Sequence, residues 1–132
     1  MKNIYSSFII FFALIISIVF SLKYLNKTCE KFEVASKNLE DYISSEAWDD
    51  AYTASYEFLN EWQDTYKTMS VIVHHSELDP INSEAYRMIQ FVKCKNKDES
   101  MASVHTIKLL IMHIKDSEKI NLQNILYIET FS

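Results

Sequence analysis

Glycine is absent from the 132 residues of this chain, and proline occurs once, at Pro80. Tight hairpin turns and phosphate-binding loops use backbone conformations that glycine adopts most readily. The lack of glycine therefore argues against a β-rich fold and against any glycine-rich nucleotide site. Long helices joined by short polar links tolerate the lack of both residues, so the composition favours an all-α protein.

Basic side chains are scarce beyond the N-terminus. Residues 24–132 carry ten Lys and one Arg against eighteen Asp and Glu, and no base lies between Lys37 and Lys67. Such an acidic surface repels nucleic acid and anionic lipid, so we expect neither as a partner. The acidic run between the two lysines is interpreted as a solvated helix face; a cation-collecting surface or a site for a basic partner is the alternative.

A long apolar segment opens the chain. No charged side chain occurs from Ile4 to Leu22, and a helix of this length spans roughly 28 Å, close to the hydrocarbon thickness of a bilayer. We therefore predict a transmembrane signal anchor at residues 1–23 and a soluble domain at residues 24–132. A signal peptide cleaved after Ser21 and a buried core helix are the alternatives.

The side of the membrane is less directly encoded. Lys2 precedes the segment, and several lysines follow it, which by the positive-inside rule would place the domain in the cytoplasm. A very short N-terminal tail followed by one span and one domain is, however, typical of an export anchor. We expect a single-pass protein of the cell membrane whose soluble domain is extracytoplasmic.

Heptad spacing predicts the first two soluble helices. The first continues from the span through Leu25, Phe32 and Leu39 and ends near Ser44–Ser45, with the Ser45 hydroxyl capping the next helix. Its narrow apolar seam could pair within the chain or between chains, so an oligomer is possible. The second helix extends to Val73 and has a wide apolar stripe. The stripe contains three predicted core or interface aromatics: Trp48, Trp62 and Tyr66.

The remaining helices follow from their caps and breaks. Pro80 suits the first turn of a third helix, with Asp79 as its cap. A fourth helix is predicted over residues 99–114, a short last helix capped by Asp116–Ser117 follows it, and the tail after Tyr127 should fray. Short links make neighbouring helices antiparallel. The predicted fold is an N-terminal transmembrane helix followed by an up-and-down bundle of about four helices.

Few residues suggest chemistry. In an up-and-down bundle the second and fourth helices end at the same pole, and a divalent metal could be held there by four side chains: His75, Glu77, Asp79 and His113. Histidines that cap helix ends are the alternative reading. Arg87 suggests a structural ion pair, with Glu118 as the expected partner and Glu77 or Glu84 as alternatives, or else an anion site.

No arrangement of nucleophile and base has a recognisable spacing, so we expect no enzyme and no cofactor. Cys29 should lie near the membrane, whereas Cys94 ends a helix that runs away from it. Along the bundle axis the two should be about 20 Å apart, beyond the reach of a disulfide. We therefore predict two free thiols.

The order of several short motifs resembles a known family. They are Glu46–Ala51, then Trp62, His75–Asp79, Ala85–Met88, His113–Ile114 and Leu122–Ile125. Together they resemble domain-of-unknown-function family 4363, short membrane-anchored proteins of Firmicutes, especially clostridia. The resemblance covers nearly the whole chain and implies location and a helical fold, but no activity.

Anchor, aromatic stripe and missing catalytic groups together indicate a non-enzymatic, membrane-tethered helical module that binds another envelope protein. The alternative is an extracytoplasmic domain that binds a metal or a small ligand.

Overall fold

Four helices make up the protein. The computed structural model describes residues 1–131, with side chains for residues 1–121, 123, 124 and 127. Within these residues there is no strand, and the elements are α1 (Lys2–Ser44), α2 (Trp48–Met69), α3 (His75–Lys93) and α4 (Lys97–Phe131). Sequential helices pack side by side, and α1 also packs against α4, which closes a four-helix bundle. The predicted all-α bundle is confirmed.

Helix α1 has two halves with different surroundings. Every side chain from residue 1 to residue 20 is exposed, although most of them are apolar. From Leu25 the same helix enters the core, where Leu25, Phe32 and Leu39 are at most 1% exposed. The heptad seam predicted for this helix is therefore its packing face. Among the described residues α1 is the one helix long and apolar enough to cross a membrane; a signal sequence would meet the same criteria.

Ion pairs along the α1–α4 edge fix the direction of the two helices. Successive lysines of α4 meet successively earlier glutamates. Lys97 Nζ lies 3.3 Å from Glu46 Oε1 in the turn after α1, Lys108 Nζ lies 2.9 Å from Glu40 Oε1 of α1, and Lys115 Nζ lies 3.7 Å from Glu33 Oε1 of α1. The two helices are thus antiparallel. We call the end of the bundle beside residues 17–22 the lower pole and the opposite end the upper pole.

The core is built around the aromatic stripe of α2. Trp62 is 1% exposed, and its ring meets Phe32 of α1 edge-on at a centroid distance of 5.2 Å. Phe58 contacts Phe32 at the same distance from one turn earlier. Trp48 and Tyr66 are half-buried and pack against this core. Apolar side chains of α3 and α4 complete it: Leu78, Ile81, Ala85, Met88, Ile89, Val92, Val104, Ile107, Ile111 and Ile114.

The turn between α1 and α2 differs from the sequence prediction. Ser45 does not cap α2; it is the C-cap of α1, and its hydroxyl donates to the Asp41 carbonyl at 2.8 Å. Glu46 then adopts a positive φ of 58°, and Lys95 after α3 has a φ of 55°. Glycine ordinarily occupies such positions. In a chain without glycine, two long polar side chains bear this backbone cost instead.

Three other helix boundaries were also predicted wrongly. Helix α2 ends at Met69 rather than near Val73, which is still buried. Helix α3 begins at His75, so Pro80 lies inside the helix; the cap is His74, whose ring accepts from the Ser76 N–H at 3.3 Å, and not Asp79. The predicted fourth and last helices form one continuous helix, α4. The polar residues Asp116 and Ser117 remain helical because α4 packs against α1. The helical backbone of α4 continues to Phe131.

The two cysteines are confirmed as free thiols. Cys29 is buried in the α1 seam and Cys94 is exposed at the upper pole. Burial, reinforced by nearby Glu33, raises the pKa of the Cys29 thiol to about 11. The Cys29 sulfur is therefore protonated at neutral pH and behaves as an apolar core group.

Candidate functional sites

Tyr66 ties the end of α2 to the start of α3. Its hydroxyl donates to Asp79 Oδ1 at 2.5 Å and lies 2.9 Å from His75 Nδ1. The rings of Tyr66 and His75 are 5.8 Å apart. The hydrogen bond to Asp79 raises the pKa of the Tyr66 hydroxyl, with a further contribution from desolvation. The hydroxyl is thus held protonated, and the cluster acts as a structural tie between the two helices.

The four predicted metal ligands are not assembled into one centre. His75 and Asp79 lie one turn apart on the same face of α3 and share Tyr66. Glu77 is displaced by two residues, which on a helix turns its side chain away from them. It interacts electrostatically with Glu118 instead. His113 Nε2 lies 3.5 Å from Ser117 Oγ within α4.

A search of the described side chains finds no group of three or more His, Cys, Asp or Glu placed to hold a metal ion. The structure therefore does not bring the four predicted metal ligands together.

Arg87 pairs with Glu84 rather than with the expected Glu118. The distance from Arg87 Nη1 to Glu84 Oε2 is 3.2 Å, and the guanidinium also lies 5.7 Å from the centre of the Phe91 ring. Glu84 in turn accepts a hydrogen bond of 2.7 Å from Ser103 of α4. The short i,i+3 spacing on α3 decides the pairing, because it requires no long reach across the bundle. Arg87 therefore supports the α3–α4 contact as an exposed structural group.

A polar cleft opens at the lower pole around Glu118. A cavity of about 690 Å³ joins the α2–α3 turn to α4 and is lined by Ser70, Val71, Ile72, Val73, His74, Glu118, Asn121 and Asn124. A smaller cavity of about 190 Å³ shares Ile72, Glu118 and Asn121 with it and reaches Ser17 and Ser21 of α1. We call the two together the Glu118 cleft. It lies where α1 leaves its exposed apolar half.

Glu118 faces another carboxylate without a compensating cation. Burial and the nearby charge of Glu77 raise the pKa of Glu118. Oε2 of Glu77 is buried and lacks a hydrogen-bond partner. Among the described residues Glu118 has no hydrogen bond or ion pair. The cleft thus has a local negative charge that the surrounding side chains do not neutralise.

A second concave surface lies between α1 and α4, on the outside of the bundle. This cavity of about 480 Å³ is lined by Glu33, Val34, Lys37, His105, Lys108, Leu109 and Met112. We call it the α1–α4 groove. Its apolar members are unusually open to solvent: Val34 is 62%, Leu109 59% and Met112 49% exposed. Among the described residues, no side chain covers the exposed part of this apolar surface.

The outer face of α2 has the opposite character. It carries the acidic run predicted from the sequence together with a tilted pair of exposed rings, Tyr52 and Tyr56, at 5.3 Å. Lys31 of α1 neutralises one of these acids, Glu61, at 3.1 Å. The bundle therefore has two different surfaces: the face of α2 is predominantly acidic, whereas the groove between α1 and α4 is apolar.

Sequence reasoning missed both concave surfaces. Val34 falls outside the heptad seam of α1, and Leu109 and Met112 fall outside the inward positions of α4. Apolar residues outside the packing face could have indicated an exposed apolar surface. That they line one groove, however, depends on which helices are neighbours, and the sequence alone does not show this. The Glu118 cleft depends on α4 continuing past the predicted break at Asp116–Ser117.

Comparison with known proteins places the chain in one family. No curated protein and no solved structure matches it significantly. One family model, described as "Domain of unknown function (DUF4363)", matches residues 19–125. The match covers the second half of α1, all of α2 and α3, and most of α4. The chain therefore belongs to this family of unknown function.

Proposed function

We propose that this protein is a membrane-anchored, non-enzymatic interaction module that presents a helical bundle to another protein of the cell envelope. One observation carries the proposal: α1 runs without a break from an exposed apolar half into the core of the bundle. Burial of a single large apolar side chain is worth about 1.5–3 kcal/mol, so a row of them left in water would be strongly unfavourable. Lipid around residues 4–22 removes that cost.

The unbroken helix also supports a retained anchor over a cleaved leader. The candidate cleavage site after Ser21 lies within α1, and Ser17 and Ser21 form one wall of the Glu118 cleft. Cleavage there would remove most of that wall from the bundle. The proposal places the bundle outside the cytoplasm.

Two side chains that could act as nucleophiles, Cys29 and Tyr66, have structural roles, which supports a role in binding rather than catalysis. Cys29 is a protonated core thiol, because burial raises its pKa to about 11. The hydroxyl of Tyr66 donates to Asp79, which raises the pKa of the hydroxyl and works against deprotonation. His75 contacts the same hydroxyl rather than a serine or a cysteine. These groups hold helices together.

Affinity purification of the full chain from native membranes tests the proposal. The control is a chimera in which residues 1–23 precede an unrelated helical bundle, because it reports proteins captured through the span alone. We expect at least one membrane or envelope protein to be enriched with the native bundle and absent with the chimera. Equal recovery with both would contradict the proposal. Protease added to intact cells should digest the bundle; protection in intact cells would place it in the cytoplasm.

The Glu118 cleft favours a second candidate function, the binding of a small cationic ligand. The Glu118 carboxylate lines the cleft with the amides of Asn121 and Asn124, lies close enough to Glu77 for its pKa to be raised, and has no ion pair among the described residues. This arrangement would stabilise a positively charged group. Calorimetry of the full chain with zinc, calcium, manganese and nickel chlorides and with ethanolamine tests this candidate. Binding should be lost in Glu118→Gln, and no heat with any of these probes at micromolar to millimolar levels would eliminate it.

A further inference from the structure

We infer that the α1–α4 groove is the docking site for an amphipathic helix of another protein, one whose apolar face is flanked by acidic side chains. The inference rests on the proposed interaction function and assigns it a surface and a partner chemistry. Two antiparallel helices with solvent-exposed apolar side chains between them form the concave surface that a third helix normally fills. The groove floor is formed by Val34, Leu109 and Met112, each about half exposed or more.

The shape of the groove sets the spacing of the partner. The α4 lining residues, His105, Lys108, Leu109 and Met112, recur at helical spacing along one face. They extend over about 10 Å of helix axis, which two to three turns of a partner helix would cover. Such a helix would insert apolar residues at positions i, i+3 or i+4, and i+7.

The charges at the rim select an acidic partner. Lys37 is exposed and, among the described residues, has no hydrogen bond or ion pair. On the opposite rim Lys108 is 36% exposed and is held by Glu40, which is itself 17% exposed. His105 lies 3.1 Å from the same carboxylate. Acidic flanks on a partner would be attracted to Lys37, whose charge no described carboxylate neutralises, and repelled by the acidic face of α2, which favours binding at the groove.

Other occupants fit the groove less well. Val34 lies twelve residues beyond Leu22 in the same helix, about 18 Å along the axis, which is above the headgroup layer when residues 4–22 span the bilayer. Lipid would therefore not reach it. A symmetric dimer through this groove would bring the unpaired Lys37 of both copies into one interface and supply no unpaired carboxylate from the groove lining for either. Glu33 is already paired with Lys115 at 3.7 Å.

Photo-crosslinking of the full chain in its native membrane tests the inference. Benzoylphenylalanine replaces Leu109 in the groove or, as a matched probe on the α2 face, Tyr56, which is 46% exposed. We expect a protein adduct from position 109 that mass spectrometry maps to an amphipathic helix with acidic flanks. Lys37→Glu should lower the adduct yield about fivefold, since it reverses a rim charge. The same change on α2, Lys67→Glu, should leave the yield within about twofold, because it lies away from the groove.

Each other outcome overturns the inference in a distinguishable way. Protein adducts from position 56 alone would leave the interaction module standing and reject the groove. An adduct between two copies of this chain at position 109 would replace the partner by a second copy, and a lipid adduct would replace it by the membrane. Absence of any protein adduct at both positions would reject the groove and the proposed function together. Circular dichroism of Lys37→Glu is the folding control, and its helical content should equal that of the parent chain.

Discussion

Replacing Phe32 with alanine should remove a large part of the stability of the bundle. Phe32 is 1% exposed, and its ring is packed edge-on against Phe58 and Trp62, with a centroid distance of 5.2 Å to each. These contacts join α1 to α2, so the side chain connects the apolar N-terminal helix to the rest of the core. The substitution would leave a cavity between the two helices.

The expected loss follows from two contributions. Truncating a buried phenylalanine to alanine typically costs about 3–5 kcal/mol, which includes the cavity left behind. Edge-on aromatic pairs add about 0.5–1.5 kcal/mol each beyond their buried area. The two edge-on pairs are among the contacts that such a truncation removes, so we expect a decrease toward the upper end of the truncation range, about 4–5 kcal/mol, in the free energy of unfolding. Domains of this size have about 5–15 kcal/mol in total, so the variant should be close to unfolded at 37 °C if the parent lies near the lower limit.

Urea unfolding of the full chain in detergent micelles, followed by far-ultraviolet circular dichroism, measures this loss. Phe32→Leu keeps most of the apolar volume and should lose only about 1–2 kcal/mol. Tyr56→Ala removes an aromatic ring from the exposed α2 face and should lose less than about 1 kcal/mol. A loss below about 2 kcal/mol for Phe32→Ala, or one no larger than that of Tyr56→Ala, would refute the packing described for α1 and α2.

Three further predictions concern other parts of the structure. A maleimide at pH 7.5 should label Cys94 within minutes and Cys29 only after denaturation, because burial keeps Cys29 protonated and covered; rapid labelling of both in the folded protein would contradict this. Glu118→Gln should stabilise the protein at neutral pH, where the wild-type carboxylate is ionised beside Glu77. Because its folded pKa is raised, this advantage should shrink as the pH falls through that pKa and disappear below the ordinary glutamate value; an advantage that is independent of pH would exclude the effect. Pro80→Ala should raise the free energy of unfolding by about 1 kcal/mol, since it restores a backbone hydrogen bond inside α3, and a lower urea midpoint would contradict this.

The periodicity of the sequence predicted the elements well where one packing face dominates. Leu25, Phe32 and Leu39 are spaced by heptads and are all buried, and the α2 stripe predicted to hold Trp62 packs in the core. The end of α1 at Ser44 was also predicted, because the seam ends there. These successes share a cause: a long run of apolar side chains at helical spacing outweighs any single local signal.

Single-residue signals were less reliable, because tertiary packing overrides them. Pro80 favoured a helix start at its own position, yet packing of Leu78, which is fully buried, extends α3 one turn earlier. Asp116 and Ser117 favoured a break, but α4 continues through them. The four predicted metal ligands are not brought together for a different reason. The segment that holds three of them was expected to precede α3 but is part of that helix, and the helix turns Glu77 away from His75 and Asp79. The α1–α4 groove required the identity of neighbouring helices, which spacing along one chain does not contain.

The unbroken backbone of α1 has a mechanical consequence. Its 43 residues include neither glycine nor proline, so there is no hinge between the exposed apolar half and the half packed in the bundle. A tilt or an axial rotation of the lower half must therefore turn the whole bundle by the same angle. In the proposed anchored state, bilayer thickness influences the tilt of the spanning helix. It would thereby also influence the height of the bundle above the membrane and the direction in which the bundle faces.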